Sequence, residues 1–226
     1  MILHLVSDRR RLSAEADDEA RGRCLVEQAR FAVSAGIDAI QVREPDLEGR
    51  ALTSLTRALV SVTRGSRTRV IVNDRFDVAL AAGADGVHLR GSSFEAARVR
   101  PGCRPGFLIG RSVRTPADAA TAGPVDYLVA GTVFATPSKP DSQALLGTSG
   151  LTDIVRATEF PVLGIGGIRP DLAGEVARCG AAGIAAIGAW MEGGAACRAF
   201  PLIDVVGAFR HAFETANMKT DVPPAR

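Results

Sequence analysis

A short pattern recurs along this chain and limits what it can fold into. Gly36-Ile37-Asp38-Ala39-Ile40-Gln41-Val42 is matched by Gly83-Ala84-Asp85-Gly86-Val87-His88-Leu89. Gly180-Ala181-Ala182-Gly183-Ile184-Ala185-Ala186-Ile187 repeats the theme, and Gly123-Pro124-Val125-Asp126-Tyr127-Leu128-Val129 varies it. Each copy opens with a glycine able to take positive φ and end a helix, passes through a small or acidic residue, and enters a short apolar run. The runs are continuous rather than alternating, which marks strands covered on both faces, as in a parallel sheet.

Helical periodicity fills the gaps. Leu25, Ala29, Ala32 and Val33 share one face, as do Leu52, Leu55 and Leu59, and later Val205, Val206, Phe209 and Phe213. Strands are expected at 2–6, 38–42, 69–72, 85–88, 107–111, 126–130, 161–165 and 183–187. Eight strands alternating with helices suit a single (β/α)8 TIM barrel over residues 1–217, with 218–226 as a flexible tail carrying Pro223-Pro224. An open doubly wound sheet is the alternative. The chain has no Walker A sequence and no G-x-G-x-x-G opening a helix after a first strand to support it.

Composition narrows the function classes. The chain is 46% hydrophobic but only 5% aromatic, so its core must be aliphatic and packed with Ala and Gly. A net charge of +2, with arginines scattered from Arg9 to Arg30, reads as solvated helix faces rather than a nucleic-acid surface. Cys24, Cys103, Cys179 and Cys197 have neither C-x-x-C spacing nor histidines at zinc-ligand intervals, and are expected as reduced structural thiols. Met1 leads straight into a short strand, and no apolar run is long enough to span a bilayer. A cytoplasmic protein without membrane partners is the expectation; a homo-oligomer is left open.

In such a barrel, chemistry collects where strands end and βα loops begin. Those positions hold Gln41-Val42-Arg43-Glu44, Asn73-Asp74-Arg75, His88 and Arg90, Arg111-Ser112, and the long segment Gly131 to Lys139 with Thr136 and Ser138. The last two strands run into Gly164-Ile165-Gly166-Gly167-Ile168 and Ile187-Gly188. Glycine turns there let backbone N–H groups approach an oxyanion, and a following helix N-terminus adds its positive end, giving a phosphate cup. Plainer readings exist: tight corners for the glycines, a helix N-cap for Asp74, a core histidine for His88, solvated loop acids for Glu44 and Asp46. His4 and His211 stand alone and are given no role.

Together these motifs resemble thiamine phosphate synthase and its relative, the thiazole tautomerase, over nearly the whole chain. The resemblance rests on Gln41-Val42-Arg43-Glu44, Val72-Asn73-Asp74-Arg75, Gly86-Val87-His88-Leu89, Ile109-Gly110-Arg111-Ser112, the stretch Gly131 to Lys139, Gly164 to Ile168, and Ile187-Gly188. It implies an enzyme of thiamine biosynthesis that joins hydroxymethylpyrimidine pyrophosphate to a thiazole phosphate and releases pyrophosphate. By the same resemblance Gln41 and Arg43 would hold the pyrimidine pyrophosphate, with Asn73 and Ser112 beside them, and His88 would line the pyrimidine pocket. Asp74 would bind Mg2+, Thr136 and Ser138 would contact the thiazole phosphate, and Lys139 the leaving pyrophosphate. Gly167, Ile187 and Gly188 would form the cup, and Arg43, Ser112 and Lys139 would carry the catalytic step.

Three positions depart from the resemblance. A synthase lysine is replaced by Pro45, and the second magnesium carboxylate, 19 residues after Asp74, by Ser93. A hydroxyl is a poorer anchor for a hard cation than a carboxylate. Arg90 stands where the family usually has glycine, so positive charge is moved rather than lost. For the tautomerase, the histidine that shuttles the proton is Arg114, which stays protonated near neutral pH. A synthase-type transferase is the leading expectation; a tautomerase-type isomerase and a repurposed, non-catalytic phosphate-ligand barrel are the alternatives.

Overall fold

A computed structural model describes residues 1–13, 17–136, 144–191 and 202–220, with backbone alone at 219 and 220. Eight strands form a closed parallel barrel: β1 (Ile2–Val6), β2 (Ala39–Val42), β3 (Arg69–Asn73), β4 (Gly86–Leu89), β5 (Leu108–Val113), β6 (Tyr127–Gly131), β7 (Val162–Ile165) and β8 (Gly183–Ala186). Helices cover it: α1 (Arg9–Leu12), α2 (Asp18–Ala35), α3 (Gly49–Thr63), α4 (Phe76–Ala82), α5 (Ala96–Val99), α6 (Pro116–Ala120), α7 (Gly147–Arg156), α8 (Ala173–Arg178) and α9 (Leu202–Thr220). The single (β/α)8 barrel expected from the recurring pattern is the observed fold. The last helix continues to Thr220, so Met218 to Thr220 are helical where a tail was expected; 221–226 lie outside the described residues.

The structure gives the recurrence a mechanism. Gly36 and Gly83 end α2 and α4 in the left-handed region, and the acidic residue two positions later ties its strand to the one before. Asp38 Oδ2 accepts from Leu3 N at 2.8 Å while Asp38 N donates to the Leu3 carbonyl at 3.0 Å. Asp85 does the same to Val70, at 2.8 Å in both directions, and Asp126 to Ile109, at 2.6 and 2.8 Å. Each carboxylate thus satisfies a strand N–H at the barrel's N-terminal end, where the ladder has no further partner. In the fourth copy the acid is Ala182, and only backbone bonds remain: Ala182 N to Val162 O, and Ile2 N to Ala182 O.

Side chains alternate between two cores. Leu3, Leu5, Ile40, Val70, Val72 and Val87 point outward into the main cluster beneath the helices. Val6, Tyr127, Val129, Leu163 and Ala185 form a smaller cluster inside the barrel. The seam between β1 and β8 is tight. A Cβ on Gly183 would overlap the backbone of Ile2, so only glycine allows this closure.

The thiol expectation needs correction. Cys103 and Cys179 are free, but Cys24 on α2 is disulfide-bonded. The fourth cysteine, Cys197, lies outside the described residues. A bridge between segments far apart in the chain leaves no local spacing to read. No helix among the described residues is long and apolar enough to cross a membrane.

The reciprocal carboxylates are load carriers that can be tested. Asp85→Ala strands the Val70 N–H in a fully buried strand and should cost about 1–3 kcal/mol, measured by urea unfolding. Unchanged stability would mean that the strand ladder alone suffices.

Candidate functional site

Every strand points the same way, so the C-terminal ends of all eight share one rim. Gln41, Asn73, His88 and Ser112 are successive interior positions there. Gln41 Nε2 donates to Asn73 Oδ1 at 3.0 Å. Asn73 is the register partner of His88. His88 Nε2 lies 2.8 Å from Ser112 Oγ. The two pairs form a polar arc of amides, imidazole and hydroxyl across β2 to β5, as the strand-end reading requires.

Below the arc the interior is aromatic. His4 meets Tyr127 edge-on at 5.0 Å between ring centroids, and His88 stacks on Tyr127 at 5.7 Å. The Tyr127 ring occupies the space above Gly110, where a Cβ would overlap it. His4 Nδ1, His88 Nδ1 and Tyr127 Oη have no hydrogen-bond partner among the described residues. Burial pushes the His88 pKa down to about 4 despite nearby Asp74, and burial together with His88 pushes His4 down to about 3. Both imidazoles are therefore neutral at pH 7, and His88 offers a hydrogen-bonding edge without charge.

Asp74 follows β3 in the left-handed region, with φ of 64°, and its N–H donates to the His88 carbonyl at 2.8 Å. It does not cap α4, whose N-cap is Arg75 with no side-chain capping bond to the helix backbone, so the N-cap reading fails. Instead Arg90 forms an ion pair with Asp74 Oδ2, and Ser93 Oγ donates to Asp74 Oδ1. Beside them Arg111 donates to the carbonyls of Phe94 and Gly91, at 3.0 and 3.2 Å. Gly91, Arg111, Ser112, Arg114 and Asp118 line a cavity of about 460 Å³ at this edge.

Those partners bear on the expected Mg2+. A protein-held magnesium wants several anionic oxygens in a near-octahedral shell. Here Asp74 has both oxygens engaged, by a cation and a hydroxyl, and no group of three His, Cys, Asp or Glu among the described residues could hold a metal. The donor set does not suit a resident magnesium.

Arg43 is exposed at the end of β2, and its backbone position is fixed by a network that the sequence reading missed. Ser7 Oγ accepts from Arg43 N at 2.9 Å and donates to Glu44 Oε1 at 2.5 Å. Glu44 is only 4% exposed and pairs at 3.1 Å with Arg9, itself fully buried. Arg9 also meets Asp46 at 2.6 Å and Asp18 at 3.0 Å. Glu44 and Asp46 are thus ion-pair partners rather than solvated loop acids, and Arg9 is not a surface arginine. Ser7-Asp8-Arg9 follows the first strand directly, so the strand-end criterion applied to β1 would have found it.

On the opposite side, Gly166 and Gly167 take φ of 101° and 64°. A Cβ on Gly167 would overlap the backbone of Phe134 and Ala135. The turn therefore also seats the β6 loop, where Phe134 N donates to the Gly166 carbonyl at 3.0 Å. Thr136 is half-buried in that loop; Ser138 and Lys139 lie outside the described residues. Ile187 and Gly188 lead into a single 3-10 turn, Gly188–Trp190, held by Trp190 Nε1 donating to the His4 carbonyl at 3.2 Å.

Two consequences are measurable. Arg9→Met leaves Glu44 buried without its cation and should destabilise the fold by about 3–5 kcal/mol, read from urea unfolding. The second is a pH effect. Unfolded His4 and His88 take up protons below about pH 6.5, whereas the folded imidazoles resist until about 3 and 4. Stability should fall as pH drops from 6.5 towards 4, each histidine contributing about 1.4 kcal/mol per pH unit. His4→Leu should flatten this slope by about one histidine's share; an unaltered slope would contradict the assignment.

Comparison with known proteins agrees with this geometry. A thiamine monophosphate synthase family model matches residues 12–190. Thiamine-phosphate synthase from Roseiflexus castenholzii is 41% identical over 83% of this chain and 80% of its own length. Its counterpart from Methanoregula boonei is 45% identical over 74% of this chain and 79% of its own. The solved thiamine phosphate pyrophosphorylase from Pyrococcus furiosus superposes with a TM-score of 0.77 at 32% identity, covering 95% of this chain and 96% of that one. With barrel, rim and likeness in agreement, the chain belongs to the thiamine monophosphate synthase family.

Proposed function

We propose that this chain is a thiamine phosphate synthase, a transferase that joins hydroxymethylpyrimidine pyrophosphate to thiazole phosphate. The pyrimidine CH2–O bond breaks, pyrophosphate leaves with the bonding electrons, and the thiazole nitrogen closes a C–N bond on the resulting cation. The single observation that carries the reading is the division of one rim into three parts. The neutral residues Gln41, Asn73, His88 and Ser112 line the inner ends of β2 to β5, Arg43, Arg90 and Arg111 lie at or just after the ends of those same strands, and the turns at 166–167 and 187–188 follow β7 and β8.

Each part suits one piece of chemistry. Amides and a neutral imidazole can hydrogen-bond an uncharged aminopyrimidine. Arg43, Arg90 and Arg111 offer guanidinium donors where negative charge accumulates on the departing pyrophosphate, which stabilises the transition state more than the ground state. The glycine turns leave backbone N–H groups accessible to the thiazole phosphate, fixing the nucleophile beside the cation. Thr136, Ser138 and Lys139 complete the thiazole and pyrophosphate contacts in this reading. Phosphorylated substrates of this kind do not cross membranes unaided, which accords with a cytoplasmic enzyme, and the reading needs neither nucleic acid nor membrane.

The isomerase alternative has less support. A base is needed at the thiazole, and Arg114 stands there on an exposed loop, with its backbone N–H on Asp118 Oδ2 at 3.0 Å. The test is direct. Purified protein given both substrates should form thiamine phosphate and pyrophosphate in equal amounts. Arg43→Ala should lower kcat/KM by about 10- to 100-fold through loss of a charge-assisted contact. Isomerisation of a thiazole phosphate carboxylate alone, with no product from both substrates, would overturn the reading.

A further inference from the structure

Asp74, Arg90 and Ser93 form a closed unit at the rim. Arg90 and Ser93 bracket a tight turn: Arg90 N donates to Ser93 Oγ at 2.9 Å, and Ser93 N to the Arg90 carbonyl at 3.0 Å. Both ends of the turn then reach back to the one carboxylate, Arg90 through its guanidinium and Ser93 through its hydroxyl. From the other flank Arg111 grips the same loop at Gly91 and Phe94. The loop after β4 is thus fastened from β3 by an anion and from β5 by a cation.

We propose that Arg90, held in place by Asp74 and Ser93, does at this rim the work of a divalent cation and binds the pyrophosphate leaving group directly. This rests on the synthase reading and deepens it. The mismatch between the donor set and a magnesium ion motivates it: the charge of the Asp74 carboxylate is already balanced by a guanidinium, and no group of three His, Cys, Asp or Glu among the described residues could hold a metal.

The geometry supports the substitution. A guanidinium carries five N–H donors in a fixed plane, and Nη2 is the atom committed to Asp74. The Arg90 side chain is 64% exposed, so its remaining donors are accessible to a phosphoryl oxygen. Anchoring by a carboxylate lowers the entropy lost when the long side chain binds, and a guanidinium matches phosphoryl oxygens bidentately. Magnesium arriving here would have to shed water and displace Arg90 from the carboxylate of Asp74. Asp74 thereby acts as a positioning residue for a cation that the chain supplies itself.

The test uses inorganic pyrophosphate as the probe, titrated calorimetrically into the intact protein, with turnover measured in parallel. In EDTA the wild-type protein should bind pyrophosphate within about threefold of its affinity in magnesium. Arg90→Ala should weaken that metal-free binding about 10- to 100-fold, with no comparable loss for thiazole phosphate. The double variant Arg90→Gly/Ser93→Asp frees one carboxylate and adds a second, so pyrophosphate binding should become dependent on Mn2+, visible by electron paramagnetic resonance. Wild-type binding that requires magnesium, or equal metal-free affinity in Arg90→Ala, would overturn the proposal. Thiamine phosphate formed only with magnesium would sink this inference and leave the synthase reading standing. Loss of metal-free pyrophosphate binding in Arg90→Ala without any product from both substrates would do the reverse.

Discussion

Parallel pairing all the way round is the constraint on which the rest of this structure depends. Once β8 closes on β1, no strand edge remains, and every strand delivers its C-terminal residue to one rim. Closure itself is local chemistry. Gly183 lets β8 approach the backbone of Ile2, and the carboxylates of Asp38, Asp85 and Asp126 satisfy strand N–H groups at the opposite end. The acids that bind strand N–H groups therefore sit at one end of the barrel, and Arg43, Arg90 and Arg111 at the other. At this end the carboxylates of Glu44, Asp46 and Asp74 are each paired with arginine.

Those pairings decide what the rim can do. Glu44 and Arg9 are buried together, so their charges cancel beneath the surface while Ser7 passes the constraint to the Arg43 backbone. Asp74 is neutralised in the open by Arg90. Arg43 and Arg111 remain at the strand ends beside a neutral pocket, with both histidines in the barrel interior kept uncharged by burial. An enzyme that lets a pyrophosphate leave from a neutral heterocycle needs that division: cationic donors at the leaving group, uncharged polar groups at the ring, and an oriented nucleophile on the far side.

Much of this was legible in the sequence, for physical reasons that differ by element. The strands were readable because continuous apolar runs after a glycine stop have few other uses, and the rim residues because parallel closure leaves only strand ends for chemistry. The role of Asp38, Asp85 and Asp126 was not, since a carboxylate that returns to the preceding strand looks, in one dimension, like any polar residue before a strand. Arg9 was read as a surface charge because burial of an arginine depends on partners 35 and 37 residues away, Glu44 and Asp46. The aromatic interior around Tyr127 escaped notice too: its position over Gly110 follows from register between β5 and β6. Cys24 was misread because its bridge is a tertiary event with no spacing signature.

A crystal structure of the protein with pyrophosphate and thiamine phosphate, grown in EDTA, tests the central claim most directly. The account predicts pyrophosphate on the guanidinium of Arg90, within reach of Arg43 and Arg111, with the thiamine phosphate group against the backbone of Gly166, Gly167 and Gly188. The pyrimidine ring should lie on the arc from Gln41 to Ser112. Pyrophosphate bound away from Arg90, or a phosphate group seated elsewhere than the glycine turns, would contradict it.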